Sequence, residues 1–449
     1  GVAVVSELKQ LTALPAVTLA ADGEALGEYL ATGYEDPDRC FFAQVEPVPA
    51  GTWIEIRLDT LEIGAPVAYW HPERDSSLPI DDPEEAAEAF ARALRDAVTL
   101  HLRSDVPVGC ALSGGLDSSS VAALIEEGAP ASGARLLTFT ARFPGTTIDE
   151  GAQVERTAAA LGLDSHFVEP RAETLLAELD DFVWSHDEPV GSLSQYAGYC
   201  VARLTRAHGV PVVLNGQGGD EVLGGYWQSY LMYLRQLARG GHGLALLGHL
   251  LGALAPGGNR ELLRQLPVLG RRYLHRRRAT TGRGSLTDGL MGLSERSRRL
   301  FEIRRLYLPR LLKWDDRNFM AFSVEGRYPF LDHRLIELCL RMTPRTLYRS
   351  GWTKMPLRRG LAGVLPDEVR HRRLKLGFET PQERWLAGAL AARLQAFVTD
   401  DSPLSGWIAP EALRRLAAAV KRGADRETHE ALLRCFLADR WLRRFRLGA

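Results

Sequence analysis

The chain has 449 residues, of which 45% are hydrophobic and 25% charged, enough to bury a large core and to build two or three domains. Its 55 Lys and Arg against 56 Asp and Glu leave a formal charge of −1, which excludes a global electrostatic pull toward nucleic acid or a membrane surface. Any phosphate site has to be local. Five scattered cysteines, Cys40, Cys110, Cys200, Cys339 and Cys435, form no CxxC pair; they argue for a reducing compartment and for thiols that pack as small apolar residues.

Residues 1 to about 75 mix short β-type runs, such as Thr52-Trp53-Ile54-Glu55-Ile56, with one helical segment around Glu24 to Leu30, a marginal core by itself. The opening GVAVVSELKQ lacks the basic and apolar regions of a leader, and no later run is long enough to span a bilayer, so the expected location is cytoplasmic. Starting on Gly1 within a strand-like run reads as a chain missing its natural beginning. Asp81-Asp82-Pro83-Glu84-Glu85 supplies a helix cap, a proline at the first helical position and acids for the dipole. Phe90, Leu94, Val98 and Leu102 follow at helical spacing, and a new domain is placed from about residue 79 to the end.

From Val106 short apolar runs alternate with helices: Pro107 to Leu112 then Ser118 to Ile125, Leu136 to Thr140 then a helix through Ala159, and Val210 to Leu214 after a helix from Tyr196. That order predicts a parallel α/β sheet. Beyond Tyr226 the sequence is Leu/Arg-rich and reads as helical, with a flexible glycine-rich stretch around Gly252 to Gly258. The basic cluster Arg271, Arg272, Arg276, Arg277 and Arg278 reads as a solvated helix face, because no aromatic residues interleave it.

Val108-Gly109-Cys110-Ala111-Leu112-Ser113-Gly114-Gly115-Leu116-Asp117-Ser118-Ser119 is a strand that ends in a Ser/Gly loop and opens into a helix. Glycines let backbone N–H groups approach a phosphate, the hydroxyls of Ser113, Ser118 and Ser119 add donors, and the helix N-terminus adds partial positive charge. The loop lacks the Gly-Lys-Ser/Thr of a Walker motif and the spacing of a dinucleotide fingerprint. A second loop, Leu214-Asn215-Gly216-Gln217-Gly218-Gly219-Asp220-Glu221-Val222-Leu223-Gly224-Gly225-Tyr226, follows another apolar run, and its adjacent Asp220 and Glu221 offer hard oxygen ligands. The blander alternatives are a packing turn for the first loop and an acidic surface turn for the second.

Ser113-Gly114-Gly115-Leu116-Asp117-Ser118-Ser119 resembles the pyrophosphate loop of the N-type ATP pyrophosphatases. Two further strings, Glu325-Gly326-Arg327-Tyr328-Pro329-Phe330-Leu331-Asp332-His333-Arg334 and Arg372-Arg373-Leu374-Lys375-Leu376-Gly377-Phe378-Glu379-Thr380-Pro381, complete an ordered set. With Asp187-Glu188-Pro189, and with Lys354 before Leu357-Arg358, the chain resembles glutamine-hydrolysing asparagine synthetase from about Ala3 to beyond Pro381. The resemblance implies an ATP pyrophosphatase fold, adenine-nucleotide α-hydrolase-like, with a helical C-terminal part over residues 79–449. Residues 1–78 are then the end of an N-terminal nucleophile-type α+β glutaminase domain.

The implied reaction adenylates the aspartate side chain with ATP, and ammonia then displaces AMP. Asp117 and Asp220 would hold Mg2+. Lys375 would sit at the reacting phosphate, and Ala111, Ser113, Gly114, Gly115, Ser118, Ala141 and Gly216 would hold the nucleotide. Gln217, Asp220 and Glu221 would complete the catalytic group. Expected partners are small molecules (aspartate, ATP, ammonia or glutamine), with a homodimer as the candidate assembly and no nucleic acid or membrane. Two departures stand out. Gln217 replaces a glutamate of many members and cannot act as a base, and no N-terminal cysteine nucleophile is present, Cys40 lying too far along. Nitrogen is therefore expected as free ammonia, or from glutamine in a longer enzyme. Related ligases on the same scaffold, such as β-lactam synthetases or lasso-peptide cyclases, share the ATP chemistry. A nucleotide-binding regulator without catalysis is disfavoured because Asp117, Asp220 and Lys375 are all present.

Overall fold

The computed structural model describes residues 1–74, 77–128, 135–267, 293–373, 379–399 and 402–447. The chain opens with the helix α1 (Gly23–Thr32), capped by Asp22, whose side chain accepts from the Ala25 N–H. A two-stranded antiparallel ribbon follows, β1 (Thr52–Trp53) with β2 (Val67–Ala68), so the strand expected over 52–56 is only two residues long.

Helix α2 (Pro83–His101) starts as its sequence dictates. The Asp82 carboxylate accepts from Glu84 N–H at 2.9 Å and Glu85 N–H at 2.8 Å, and Pro83 occupies a position whose N–H would be orphaned anyway. Its apolar stripe, Phe90, Leu94 and Val98, is buried against Phe330, Leu357 and Leu361.

The predicted sheet is present and wholly parallel. In chain order come β3 (Val108–Ala111), α3 (Leu116–Glu127), β4 (Leu137–Ala141), α4 (Gly151–Leu161), β5 (Asp164–Val168), α5 (Ala172–His186), α6 (Ser194–Ala207), β6 (Val212–Leu214) and α7 (Gly219–Leu223), with β7 (Glu325–Arg327) far later. The strands lie in the order β5-β4-β3-β6-β7, with β3 central, pairing Cys110 with Thr138 on one side and with Leu214 on the other. The C-terminal ends of β4, β3 and β6 therefore lie side by side, the edge of a parallel sheet where ligands bind in open α/β folds.

The rest is helical, as expected, beginning with α8 (Trp227–Arg239) and α9 (Gly243–Leu254) and closing with the long helix Arg426–Arg444. The glycine-rich stretch 252–258 spans the end of α9 and the turn that follows it. Gly252 lies in the last turn of α9, and the chain after it is tied down by Asn259 N–H donating to the Ser350 carbonyl at 2.9 Å. The arginine cluster at 271–278 lies outside the described residues.

Residues 8–42 are fastened to the body through the Asp187-Glu188 pair. Asp187, at φ +64°, accepts from the Leu8 N–H at 2.8 Å and the Lys9 N–H at 3.1 Å, and pairs with Lys9 and Arg317. Glu188 accepts from the Phe41 N–H at 3.0 Å and from Lys313 Nζ at 2.9 Å. Tyr29, Phe41 and Phe42 then share a core with Phe182, Trp441 and Phe445. All five cysteines are buried, and burial raises every one of their thiols, that of Cys110 to about 12. They behave as the small apolar residues the sequence suggests.

Candidate active site

The loops after β3 and β6 enclose a cleft of about 390 Å³ at the C-terminal edge of the sheet. Ala111, Ser113, Gly115, Asp117 and Ser118 line it from the end of β3, the first loop and the start of α3, Ala141 from the end of β4, and Gly216, Gln217, Asp220 and Glu221 from the second loop and the start of α7. Sequence positions from three strands thus converge. Gly114 lies one step back, at φ +68°, with its carbonyl accepting from Arg372 at 2.7 Å. Lys375 lies outside the described residues. Ser119, read as a phosphate donor, is instead fully buried on the far side of α3, because successive helical residues are turned by about 100° and only one of the two serines can face the cleft.

The serines that remain shape the loop as well as face the space. Ser113 and Ser118 hydroxyls are 3.0 Å apart, and the Ser113 N–H donates to Ser118 Oγ at 3.1 Å. Asp117 and Asp220 come from different strands, yet both reach the ammonium of Lys354, at 2.5 Å and 2.7 Å. Two glycines make the approach possible. A Cβ on Gly219 would stand 2.7 Å from Asp117 Cγ, and one on Gly225 would stand 2.0 Å from Asp220 Oδ1 and 2.2 Å from Lys354 Cε. The glycine-rich second loop is therefore what lets the two carboxylates share one cation.

Lys354 is 5% exposed. Burial alone would lower its ammonium, but the charges of Asp117 and Asp220 outweigh burial and hold its pKa above the ordinary value. Further along the wall lie Arg358, Arg372 and Arg373. Arg358 donates to the Thr353 carbonyl at 2.9 Å and to that of Arg370, and burial lowers its pKa to about 10. Arg372 pairs with Glu150 at 2.5 Å. Arg358 thus adds a cation to a cleft onto which the N-terminus of α3 opens, which suits a polyphosphate.

Opposite stands a carboxyl that sequence reading passed over. Asp315 lines the cleft from the helix Leu308–Met320 and accepts from Asn215 Nδ2 at 2.7 Å, two residues before Gln217. Burial, with Asp316 adding to it and Tyr328 and Asn215 opposing, lifts its pKa to about 7. Within Lys313-Trp314-Asp315-Asp316-Arg317 it reads as part of a solvated charge run, and no local signal separates it. Glu221 is buried and takes a hydrogen bond from the Tyr226 hydroxyl, whose pKa burial and the Glu221 charge hold well above its usual value.

The site fits a magnesium ion. Asp117 and Asp220 present hard oxygens to one point, and an ammonium already stands there as a cation. Among the described residues no group of three or more His, Cys, Asp or Glu side chains forms a cage, so the remaining ligands would come from water and substrate phosphates, as magnesium prefers. No helix among the described residues is long and apolar enough to cross a membrane.

Comparison with known proteins places this architecture. The asparagine synthase family model matches residues 89–443. Asparagine synthetase [glutamine-hydrolyzing] 1 of Bacillus subtilis (strain 168) is 30% identical over 393 residues, which cover 81% of this chain and 60% of the relative. Asparagine synthetase [glutamine-hydrolyzing] 3 of the same strain is 26% identical over 82% of this chain and 60% of its own length. The amidase chry2 of Gibberella zeae is 27% identical over 80% of this chain and 62% of its own. The chain spans about three fifths of the length of these relatives. With a family match over most of its length, the chain belongs to the asparagine synthase family.

Proposed function

We propose that the cleft forms an amide on the side-chain carboxylate of aspartate at the expense of ATP, giving asparagine, AMP and pyrophosphate. One observation carries the reading: Asp117 and Asp220, in the first turns of the helices that follow β3 and β6, converge on a single cation beside a Ser/Gly helix start. In the proposed first step a carboxylate oxygen of aspartate bonds to the α-phosphorus and the bond to the leaving pyrophosphate breaks. Asp117 and Asp220 would hold magnesium, which supplies charge neutralisation on the phosphates. Ser113, Gly114, Gly115 and Ser118 would cradle the phosphates, while Ala111, Ala141 and Gly216 leave room for the adenosine. Lys354, Arg358 and Lys375 would offset charge on the leaving group.

In the second step ammonia bonds to the acyl carbon, the bond to AMP breaks, and one proton leaves the nitrogen. Gln217 has no basic lone pair for it. Asp315, buried beside Asn215, is the group suited to accept that proton near neutral pH. Residues 1–78 are proposed as the end of a glutaminase domain, so nitrogen would be ammonia for this chain and glutamine for a longer enzyme, in a cytoplasmic setting. The likeness to an amidase favours a second reading, another carboxylate and amine pair on the same scaffold.

The test is AMP and pyrophosphate release from magnesium-ATP with aspartate plus ammonium, aspartate plus glutamine, or no aspartate. Aspartate-dependent AMP with ammonium is expected. Binding of ATP with no AMP formed from aspartate under any nitrogen source would move the assignment to the second reading.

A further inference from the structure

Lys354 occupies the point that the metal would need. Its Nζ lies 2.5 Å from Asp117 Oδ2 and 2.7 Å from Asp220 Oδ1, the two carboxylates assigned to magnesium above. Its aliphatic chain runs against Gly225, where even a methyl would overlap Lys354 Cε. The side chain is aimed from a backbone at φ +56°, a left-handed conformation for a non-glycine residue, at the start of the helix Met355–Gly360. A divalent cation and an ammonium cannot both sit among the same oxygens, since two like charges at that range repel strongly in a buried site. The guanidinium of Arg358, which donates to backbone carbonyls, adds to that repulsion until something anionic enters the cleft.

We propose that Lys354 is an exchangeable counter-ion: without nucleotide its ammonium neutralises Asp117 and Asp220 and keeps divalent cations off them, and phosphates entering the cleft draw it away so that the carboxylates become available to the metal. The inference rests on the reading of the cleft as a magnesium-ATP site. Its consequence is order: metal is taken up together with nucleotide, not before it. The flexible four-carbon stem and rotatable head of lysine suit such an exchange, whereas a bidentate guanidinium at the same point would hold both carboxylates more firmly.

Mn2+ alone, followed by electron paramagnetic resonance of the free ion, is the probe, with the folded chain compared with Lys354→Met and Lys354→Arg in the absence of nucleotide. Lys354→Met should bind Mn2+ about tenfold or more tightly than the unaltered protein, because one competing charge is removed, while Lys354→Arg should still exclude it. Should the Met variant be unstable, Mn2+ is expected to raise its melting temperature and to leave that of the unaltered protein unchanged. Equal nucleotide-free Mn2+ affinity in the unaltered protein and Lys354→Met, or no metal-dependent rise in melting temperature for the Met variant, overturns the exchange. Calorimetry with Mg2+ and α,β-methylene-ATP on the unaltered protein separates the two levels: absence of binding there removes the nucleotide reading itself, whereas binding without the Met variant's gain in metal affinity removes only the exchange.

Discussion

Lys354 and Lys313 each lie between two carboxylates, Asp117 and Asp220 in the first case, Glu35 and Glu188 in the second, with Nζ to oxygen distances of 2.5 to 2.9 Å throughout. Their surroundings differ. Glu188 also accepts a backbone N–H from Phe41, and the neighbouring Asp187 accepts two more from Leu8 and Lys9, so that cluster is welded into the packing of residues 8–42 on the body. Asp117 and Asp220 stand instead in the first turns of α3 and α7, just after glycine-rich loops at the open edge of the sheet, facing a cleft. Charge neutralisation thus serves structure in one place and, on the function proposed above, a binding site in the other. What separates them is whether backbone donors close the cluster or a cavity leaves it open.

The comparison can be broken by substitutions on either side. The largest effect is expected for Asp220→Ala, which should lower AMP formation by about 10³-fold or more, a loss of transition-state stabilisation near 4 kcal/mol, while leaving the melting temperature within a few degrees. Comparable losses of stability and activity would place Asp220 with the structural cluster. Asp315→Asn comes next: amide formation should fall by about 10²-fold while aspartate-dependent pyrophosphate exchange survives, since only the second step needs a base. The sign in pH follows from the carboxyl being raised to about 7. A base works deprotonated, so at constant free ammonia the rate should fall as pH drops below about 7, and the Asn variant should lose that limb.

Lys313→Met should act in the opposite sense to Asp220→Ala. Allowing for a side chain that is 30% exposed, it should lower unfolding free energy by about 2 kcal/mol in urea titration, with kcat/KM of the folded fraction nearly unchanged. A tenfold loss of kcat/KM without destabilisation would contradict the division. The smallest effect is expected for Gly219→Ala. The new methyl pushes Asp117 by a fraction of an ångström, and kcat/KM should fall by about tenfold, with the apparent magnesium requirement raised.

Much of this was legible in the sequence because it is local. A strand, a Ser/Gly loop and a helix start are consecutive in 108–119, and the second loop announces itself by glycines that no helix would carry. Other strands were hidden. β5 is Asp-Ser-His-Phe-Val, without an apolar run, and β7 is Glu-Gly-Arg, which becomes a strand only because β6 offers it a pairing edge. At the site, Lys354 was noted for its place in a pattern, but its partnership with Asp117 spans 237 positions and no spacing rule reaches that far. Asp315 was missed for a related reason: burial of one acid in a charged helical run is decided by what packs against it. The Asp187-Glu188 pair, noticed as part of the resemblance, turns out to anchor backbone.

The most direct test of the account is exchange of labelled pyrophosphate into ATP, measured with magnesium, with and without aspartate, and with no nitrogen source. Exchange that depends on aspartate and disappears in folded Asp117→Ala is the predicted result, since reversible adenylation needs the carboxylate and the metal site but no ammonia. Exchange indifferent to aspartate, or its persistence in Asp117→Ala, would contradict the assignment of this cleft to aspartate adenylation.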